Sequence, residues 1–407
     1  MHERSTARTA ANITSSYSEQ AAPLLVCFSH LRWDFVWQRP QHLLSRAAKQ
    51  FRVLFVEEPV FKPVVTPHMD VSHRPGGITI AVPVLPEGLS EAQIVRWQRK
   101  LLDGLLAGET ESGRVLWYYT PMALSFSNHL ESDLCVYDNM DELSAFRGAS
   151  RELLALEDEL FTRADLVFTG GMSLYEAKRG RHANVHAFPS SIDFEHFAKA
   201  RGMAGAEPKE QRSIPRPRLG FFGVIDERMD ADLVAQVAEI RPEWQLVMIG
   251  PVVKIDPAGL PCRDNIHWLG GKTYNDLPRY LAGWDVGFMP FALNEATRFI
   301  SPTKTPEFLA AGVPVISTPI TDVVHPYGDK GLVEIASTAL EVVDKAEHLL
   351  ARGKERTKAS WLHKVDRHLA AGSWDKTWAA MHRLMAGAMD QPAARATAPG
   401  YIATPAE

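Results

Sequence analysis

Cysteine is nearly absent, with Cys27, Cys135 and Cys262 the only three in 407 residues. Scattered and odd in number, they imply neither a disulfide framework nor a zinc site, and they suit a reducing cytoplasm. A strong charge of either sign is also missing. The formal net charge of -5 gives no general reason to expect nucleic acid as a partner. No apolar run approaches the roughly 18 residues that a membrane span needs, so any membrane contact is expected to be peripheral. Residues 1–22 carry Ser, Thr, Ala and charge without an apolar core, so a disordered extension is expected there rather than a signal peptide. The Ala, Pro and Thr of 391–407 predict a disordered tail.

Between these ends the composition is that of a globular protein, 45% hydrophobic and 23% charged, and the length suggests more than one core. From Pro23 onward short apolar runs alternate with amphipathic stretches. Leu24 to Phe28, Phe51 to Val56, Ile78 to Val84, Val115 to Tyr119, Leu134 to Tyr137 and Leu166 to Thr169 read as strands, with helices between them. Such alternation predicts a parallel sheet covered on both faces, a Rossmann-like domain over 23–197. Residues 198–217, rich in Gly, Pro and charge, read as a linker. A second series, with strands at Arg218 to Phe222, Trp244 to Ile249, Ile266 to Gly270, Val286 to Pro290 and Leu332 to Ile335, predicts another such domain over 218–370. A last helix over 371–390 is expected to return to the first domain. The fold class is therefore α/β, two doubly wound domains facing each other across a cleft.

The chemistry concentrates in Ser301-Pro302-Thr303-Lys304-Thr305-Pro306-Glu307, followed by Phe308 to Thr318. A cation and a carboxylate stand three residues apart where a loop becomes a helix, and Gly312 ends that helix before an apolar strand. A ligand with a phosphate and a diol suits it, since Lys304 offers a point charge and Glu307 can accept two hydroxyl hydrogen bonds. The plain alternative is a capped helix leading into a buried strand.

Three segments together resemble the GT-B fold glycosyltransferases of the large retaining family 4. They are Ser301 to Thr318, the run Asn265 to Gly270 continuing through Tyr274, Leu277 and Asp285 to Pro290, and Phe188-Pro189-Ser190-Ser191-Ile192-Asp193-Phe194 to Phe197. Trp33 to His42 and Val136 to Glu142 are similar to a subgroup found in bacterial polysaccharide gene sets. The sequence departs from the family pattern at three places. Phe299 stands where the first of two carboxylates is usual, with Glu295 close by; the usual Arg-Lys pair is present only as Arg228; and the aromatic Trp33 to His42 stretch replaces a Gly-Gly loop.

The resemblance implies a transferase that moves a sugar from a nucleotide-diphosphate donor to a saccharide or lipid-linked acceptor in cell-surface polysaccharide or glycoconjugate synthesis. Retention of configuration, no cofactor and no essential metal are implied with it. Donor contacts carried over are Glu307 on the ribose hydroxyls, Lys304 and Arg228 on the diphosphate, and the backbone or side chains of Ser301, Pro302, Thr303, Gly223, Gly250, Gly270, Gly271, Lys272 and Glu295. On the acceptor side stand Trp33, Arg39 and His42. Asp138 and Asp141 are the candidates to accept the acceptor hydroxyl's proton, with Asp138 preferred; as alternatives, Asp141 caps a helix and Asp138 is a turn residue.

Two other functions stay open on this scaffold, a sugar-nucleotide epimerase and a non-catalytic binder of sugar nucleotides. Asp230-Ala231-Asp232 opens a predicted helix, so its acids are read as complementing the helix dipole rather than holding a metal. The basic, aromatic stretch from Arg96 to Leu106 is expected either to lie on the inner face of an anionic membrane or to pack on its own sheet. The expected location is cytoplasmic.

Overall fold

The computed structural model describes residues 22–109, 113–351 and 355–390. The expected N-terminal extension, apart from Ala22, and the tail at 391–407 lie outside the described residues.

Among the described residues the first domain carries nine strands: β1 (Leu24–Ser29), β2 (Arg52–Glu57), β3 (Val60–Lys62), β4 (His68–Arg74), β5 (Ile78–Pro86), β6 (Arg114–Tyr118), β7 (Leu134–Asn139), β8 (Leu166–Thr169) and β9 (Val185–Ala187). They are ordered β3-β5-β2-β1-β6-β7-β8-β9, with β4 added on β5. Strand β1 is apolar throughout because both its faces are covered. Leu25 and Cys27 enter the core shared with helix Arg39–Ala47, whereas Leu24, Val26 and Phe28 enter the one shared with helix Glu91–Leu106. The expected all-parallel sheet is corrected at one edge, where β4 runs antiparallel to β5 with Arg74 beside Ile78. Gly76 and Gly77, at φ of 84° and 83°, form the tight turn that makes this hairpin feasible. Helix Glu91–Leu106 packs on its own sheet through Leu102 and Leu106 and turns Arg96 and Lys100 outward.

The second sheet contains β10 (Arg218–Phe222), β11 (Gln245–Ile249), β12 (Ile266–Trp268), β13 (Val286–Met289), β14 (Val315–Ser317) and β15 (Val333–Ile335). Every pair is parallel, and the order is β12-β11-β10-β13-β14-β15. The chain therefore winds outward in one direction from β10 and then in the other from β13. At such a reversal the connections leave on opposite faces and a crevice opens beyond the carboxyl ends of the strands.

The stretch expected as a linker is folded instead. Short helical turns occupy Lys199–Gly202 and Lys209–Arg212, and Ala200 and Ile214 join Ile192 and Phe197 in the core of the second domain. Buried Arg218 pins this segment by donating to Glu207 and to the Ile214 carbonyl. Turns this short leave no periodicity in the sequence; their order comes from tertiary contacts. The last helix, Trp374–Asp390, crosses back and buries Trp374, Trp378, Met381 and Met385 in the first domain's core.

Candidate active site

The cleft between the domains opens at the carboxyl ends of β10 and β11. From the first domain Trp37, Arg39, Met140 and Asp141 line it; from the second come Gly223, Arg228, Gly250, Lys272, Tyr274, Ser301, Pro302, Thr303, Lys304 and Glu307. Two glycines make room for the charged groups. Gly223 and Gly250 hold φ of 150° and 148°, which L side chains rarely adopt. A Cβ on Gly223 would also overlap the Lys304 stem, and one on Gly250 would overlap the Gly223 carbonyl oxygen. Lys304 thus runs directly over the end of β10.

Helix Lys304–Ala310 carries Glu307 in its first turn, so the cation and the carboxylate face the cleft together. Glu307 is 5% exposed, and its Oε2 has no hydrogen-bond partner among the described residues. Burial raises its carboxyl pKa to about 7, against the pull of Lys304. Burial likewise lowers the Lys304 pKa, with Glu307 opposing it. The Tyr274 hydroxyl is likewise buried without a partner among the described residues. Buried polar atoms are rarely left unpaired without a reason, and here a hydroxylated ligand would satisfy them.

Arg228 is aimed by a local fork. Its Nε and Nη2 donate to Asp226 at 3.0 and 2.7 Å, and its guanidinium lies 5.4 Å from the Phe146 ring of the first domain. Lys254 approaches the same ring at 5.5 Å. Next to it, the Arg147 backbone N–H donates to Glu227 at 3.0 Å. The loop after β7 therefore crosses the cleft and rests on the second domain.

Asp141, on that same loop, is half-buried in the cleft wall. Among the described residues no hydrogen bond or ion pair engages its carboxylate, yet it lies within electrostatic reach of Arg39, Arg228 and Lys304. Asp138 is placed otherwise. It is fully buried at the end of β7 and grips Arg39 through both oxygens, at 2.8 Å from Nη2 and 3.0 Å from Nε. Burial raises its pKa although Arg39 lowers it. The preference for Asp138 is thereby corrected: it does not reach the cleft and serves to hold Arg39, whose Nη1 also donates to the Phe188 carbonyl at 2.7 Å.

Several other expected residues stand away from the cleft wall. Glu295 is exposed and faces Arg298 at 3.6 Å, so it does not replace the carboxylate lost at Phe299. Trp33 is buried against Phe55, and His42 is stacked on Trp374 with ring centroids 4.6 Å apart. Burial, with Arg46 and His196 nearby, lowers the His42 pKa to about 3. Gly270 supports the wall from behind, its carbonyl accepting from the Gly250 N–H at 3.0 Å, and Gly271 does not line the cleft. The residues not foreseen are Trp37, Tyr274 and Phe146. Trp37 lay inside the aromatic stretch already marked; for Phe146 nothing in the sequence signalled a role.

Two doubly wound sheets facing each other across a cleft define the GT-B fold, and this cleft holds a lysine, an arginine and a buried carboxylate. Solved structures bear out that fold. Sucrose-phosphate synthase from Thermosynechococcus elongatus superimposes with a TM-score of 0.64 at 13% identity, over 90% of this chain and 98% of that one. An E. coli structure described as trehalose-6-phosphate bound with UDP-2-fluoro glucose gives 0.65 at 12%, over 90% and 99%. The alpha,alpha-trehalose-phosphate synthase (UDP-forming) of Burkholderia xenovorans, in complex with glucose-6-phosphate, gives 0.65 at 11%, over 90% and 100%. Residues 216–352, in the second domain, match the family described as Glycosyl transferases group 1. Among curated proteins it is 27% identical over 240 residues to the putative teichuronic acid biosynthesis glycosyltransferase TuaH of Bacillus subtilis (strain 168). That match spans 54% of this chain and 59% of the Bacillus protein.

Proposed function

We propose that the protein transfers a sugar from a nucleoside-diphosphate sugar to a hydroxyl of a saccharide or lipid-linked acceptor, with retention, in the assembly of a cell-surface polysaccharide. The observation that carries this reading is the buried, unpaired Glu307 carboxylate beside Lys304 in a cleft between two Rossmann-like domains. Glu307 accepts the ribose hydroxyls, while Lys304 and Arg228 neutralise the diphosphate. Charge grows on the leaving oxygen as the anomeric bond breaks, and preorganised cations in a water-poor cleft stabilise it most at that point. The acceptor oxygen bonds to the anomeric carbon on the face the phosphate leaves, and its proton passes to a phosphate oxygen. Asp141 faces this exchange and orients the acceptor sugar by accepting a hydrogen bond from a neighbouring hydroxyl. The UDP-sugar analogue named for the E. coli structure and the teichuronic acid role named for the Bacillus relative support the donor class and the polymer context.

Incubation with a panel of UDP-, GDP-, ADP- and dTDP-sugars and with saccharide, glycosyl phosphate and prenyl-phosphate-linked acceptors tests the reading. Release of nucleoside diphosphate coupled to a new glycosidic bond is expected, together with loss of donor binding in Glu307→Ala. Epimerised free donor, or binding without turnover across the panel, would overturn it.

A further inference from the structure

The three side chains expected to meet the acceptor leave that task open. Trp33 and His42 are packed inside, and Arg39 is pinned to Asp138. Trp37 is different. It lines the cleft from the first domain and is 43% exposed, an unusual state for so large an apolar surface beside a pocket. Its ring is nevertheless held in place. The indole N–H donates to His42 Nδ1 at 3.3 Å, Trp33 meets it edge-on at 6.4 Å, and Tyr274 of the second domain lies 5.8 Å away. An aromatic face that is fixed on one side and bare on the other suits a flat ligand presenting a row of C–H bonds, because the ring's negative face attracts them. A pyranose has such a face.

We propose that Trp37 is the platform on which a sugar ring of the acceptor stacks, an inference that rests on the transferase reading above. The donor's charged parts are met on the second domain by Glu307, Lys304 and Arg228. Trp37 and Asp141 line the cleft from the first, so one sugar ring can lie on the indole while its hydroxyl faces the Asp141 carboxylate. Little entropy is lost on binding, since the indole is already positioned.

The test compares Trp37→Ala, Trp37→Phe and Phe35→Ala in transfer kinetics, with saturation-transfer NMR using methyl gluco-, galacto- and mannopyranosides as probes. In Trp37→Ala the acceptor KM is expected to rise about ten-fold while the donor KM stays within about two-fold. Trp37→Phe keeps an aromatic face but loses the N–H to His42, and it is expected to restore the acceptor KM to within about three-fold of wild type. Phe35, 47% exposed on the same loop but outside the cleft, is expected to tolerate alanine. A matching rise in donor KM would overturn the proposal by assigning the ring to the nucleobase. So would Phe performing no better than Ala, which would reduce the indole to a support for His42. Absence of saturation transfer from every glycoside, in wild-type protein that binds donor, would also sink it. A wild type that binds no sugar nucleotide would instead overturn the transferase reading itself.

Discussion

Asp138 and Asp141 stand three positions apart and differ in what surrounds them, so substitution separates their work. Removing the Asp138 carboxylate strands the Arg39 guanidinium in a buried site, and losing one partner of such a pair costs about 3–5 kcal/mol. Asp138→Ala is expected to show that loss in chemical denaturation. Asp141 has no such partner, so Asp141→Asn is expected to change stability by about 0.5 kcal/mol or less while lowering turnover about 100-fold or more. The reverse pattern would move the acceptor-orienting role from Asp141 to Asp138. Glu307 carries a pH signature. Its folded pKa of about 7 lies above the ordinary 4.5, so between those values the folded protein holds a proton that the unfolded chain has released. Its contribution to stability is therefore complete below about pH 4.5 and lost as the pH rises through about 7. Glu307→Gln is expected to raise the Tm at about pH 8 and leave it unchanged near pH 4.5, measured by calorimetry. Donor affinity should move the opposite way in wild type, weakening as the pH falls below about 7, and become weak and pH-independent in the variant.

Helix Met172–Lys178 of the first domain begins against the second. The Asp322 carboxylate accepts from the backbone N–H groups of Met172 and Ser173 at 2.8 and 2.9 Å. Gly171 makes the approach feasible, since a Cβ there would overlap that carboxylate. Nearby, the Ser190 N–H donates to Ser301 Oγ at 3.3 Å, at the point where the chain passes between domains. Asp322 thus joins the two domains by charge-assisted hydrogen bonds, each contributing about 1.5–3 kcal/mol. Asp322→Ala and Gly171→Val remove the same contact from opposite sides. Both are expected to enlarge the radius of gyration in small-angle scattering and to lower kcat. An unchanged scattering curve in both would show that closure is held elsewhere.

At the scale of the whole molecule, an aromatic stack ties the domains and the last helix together. His42 lies flat on Trp374 and edge-on to Tyr274, which in turn stacks on His196 at 4.2 Å. The stack needs neutral imidazoles. His42, with a folded pKa of about 3 against an ordinary 6.5, favours the closed fold fully above about pH 6.5, and this contribution falls away as the pH drops toward 3. Burial lowers His30 and His196 in the same direction. The protein is therefore expected to lose Tm steadily from about pH 6.5 to 5. His42→Phe should make that slope shallower, because the ring is kept and its titration removed. An equal slope in the variant would exclude His42 as a source.

Periodicity and a few spaced motifs carried much of this protein. The alternation of apolar runs and amphipathic stretches after Pro23 is local, and parallel strands covered on both faces leave no other pattern, so two Rossmann-like domains were legible from the sequence alone. Lys304 and Glu307 were legible too, because two residues three positions apart on a helix share a face whatever surrounds them. Tertiary structure decided the rest. Asp138 and Asp141 look equivalent in sequence, and only the side chain of Arg39, 99 positions away, separates the buried one from the one in the cleft. Residues 198–217 lack any period, yet Arg218 and the second core fold them into turns. Trp33 and Trp37 were two aromatics in one loop until Phe55 took the first and the cleft left the second bare. Local pattern fixes which element forms and which face it buries, whereas the partner of a polar or aromatic side chain is set by contacts distant in sequence, which assembly of the two sheets alone supplies.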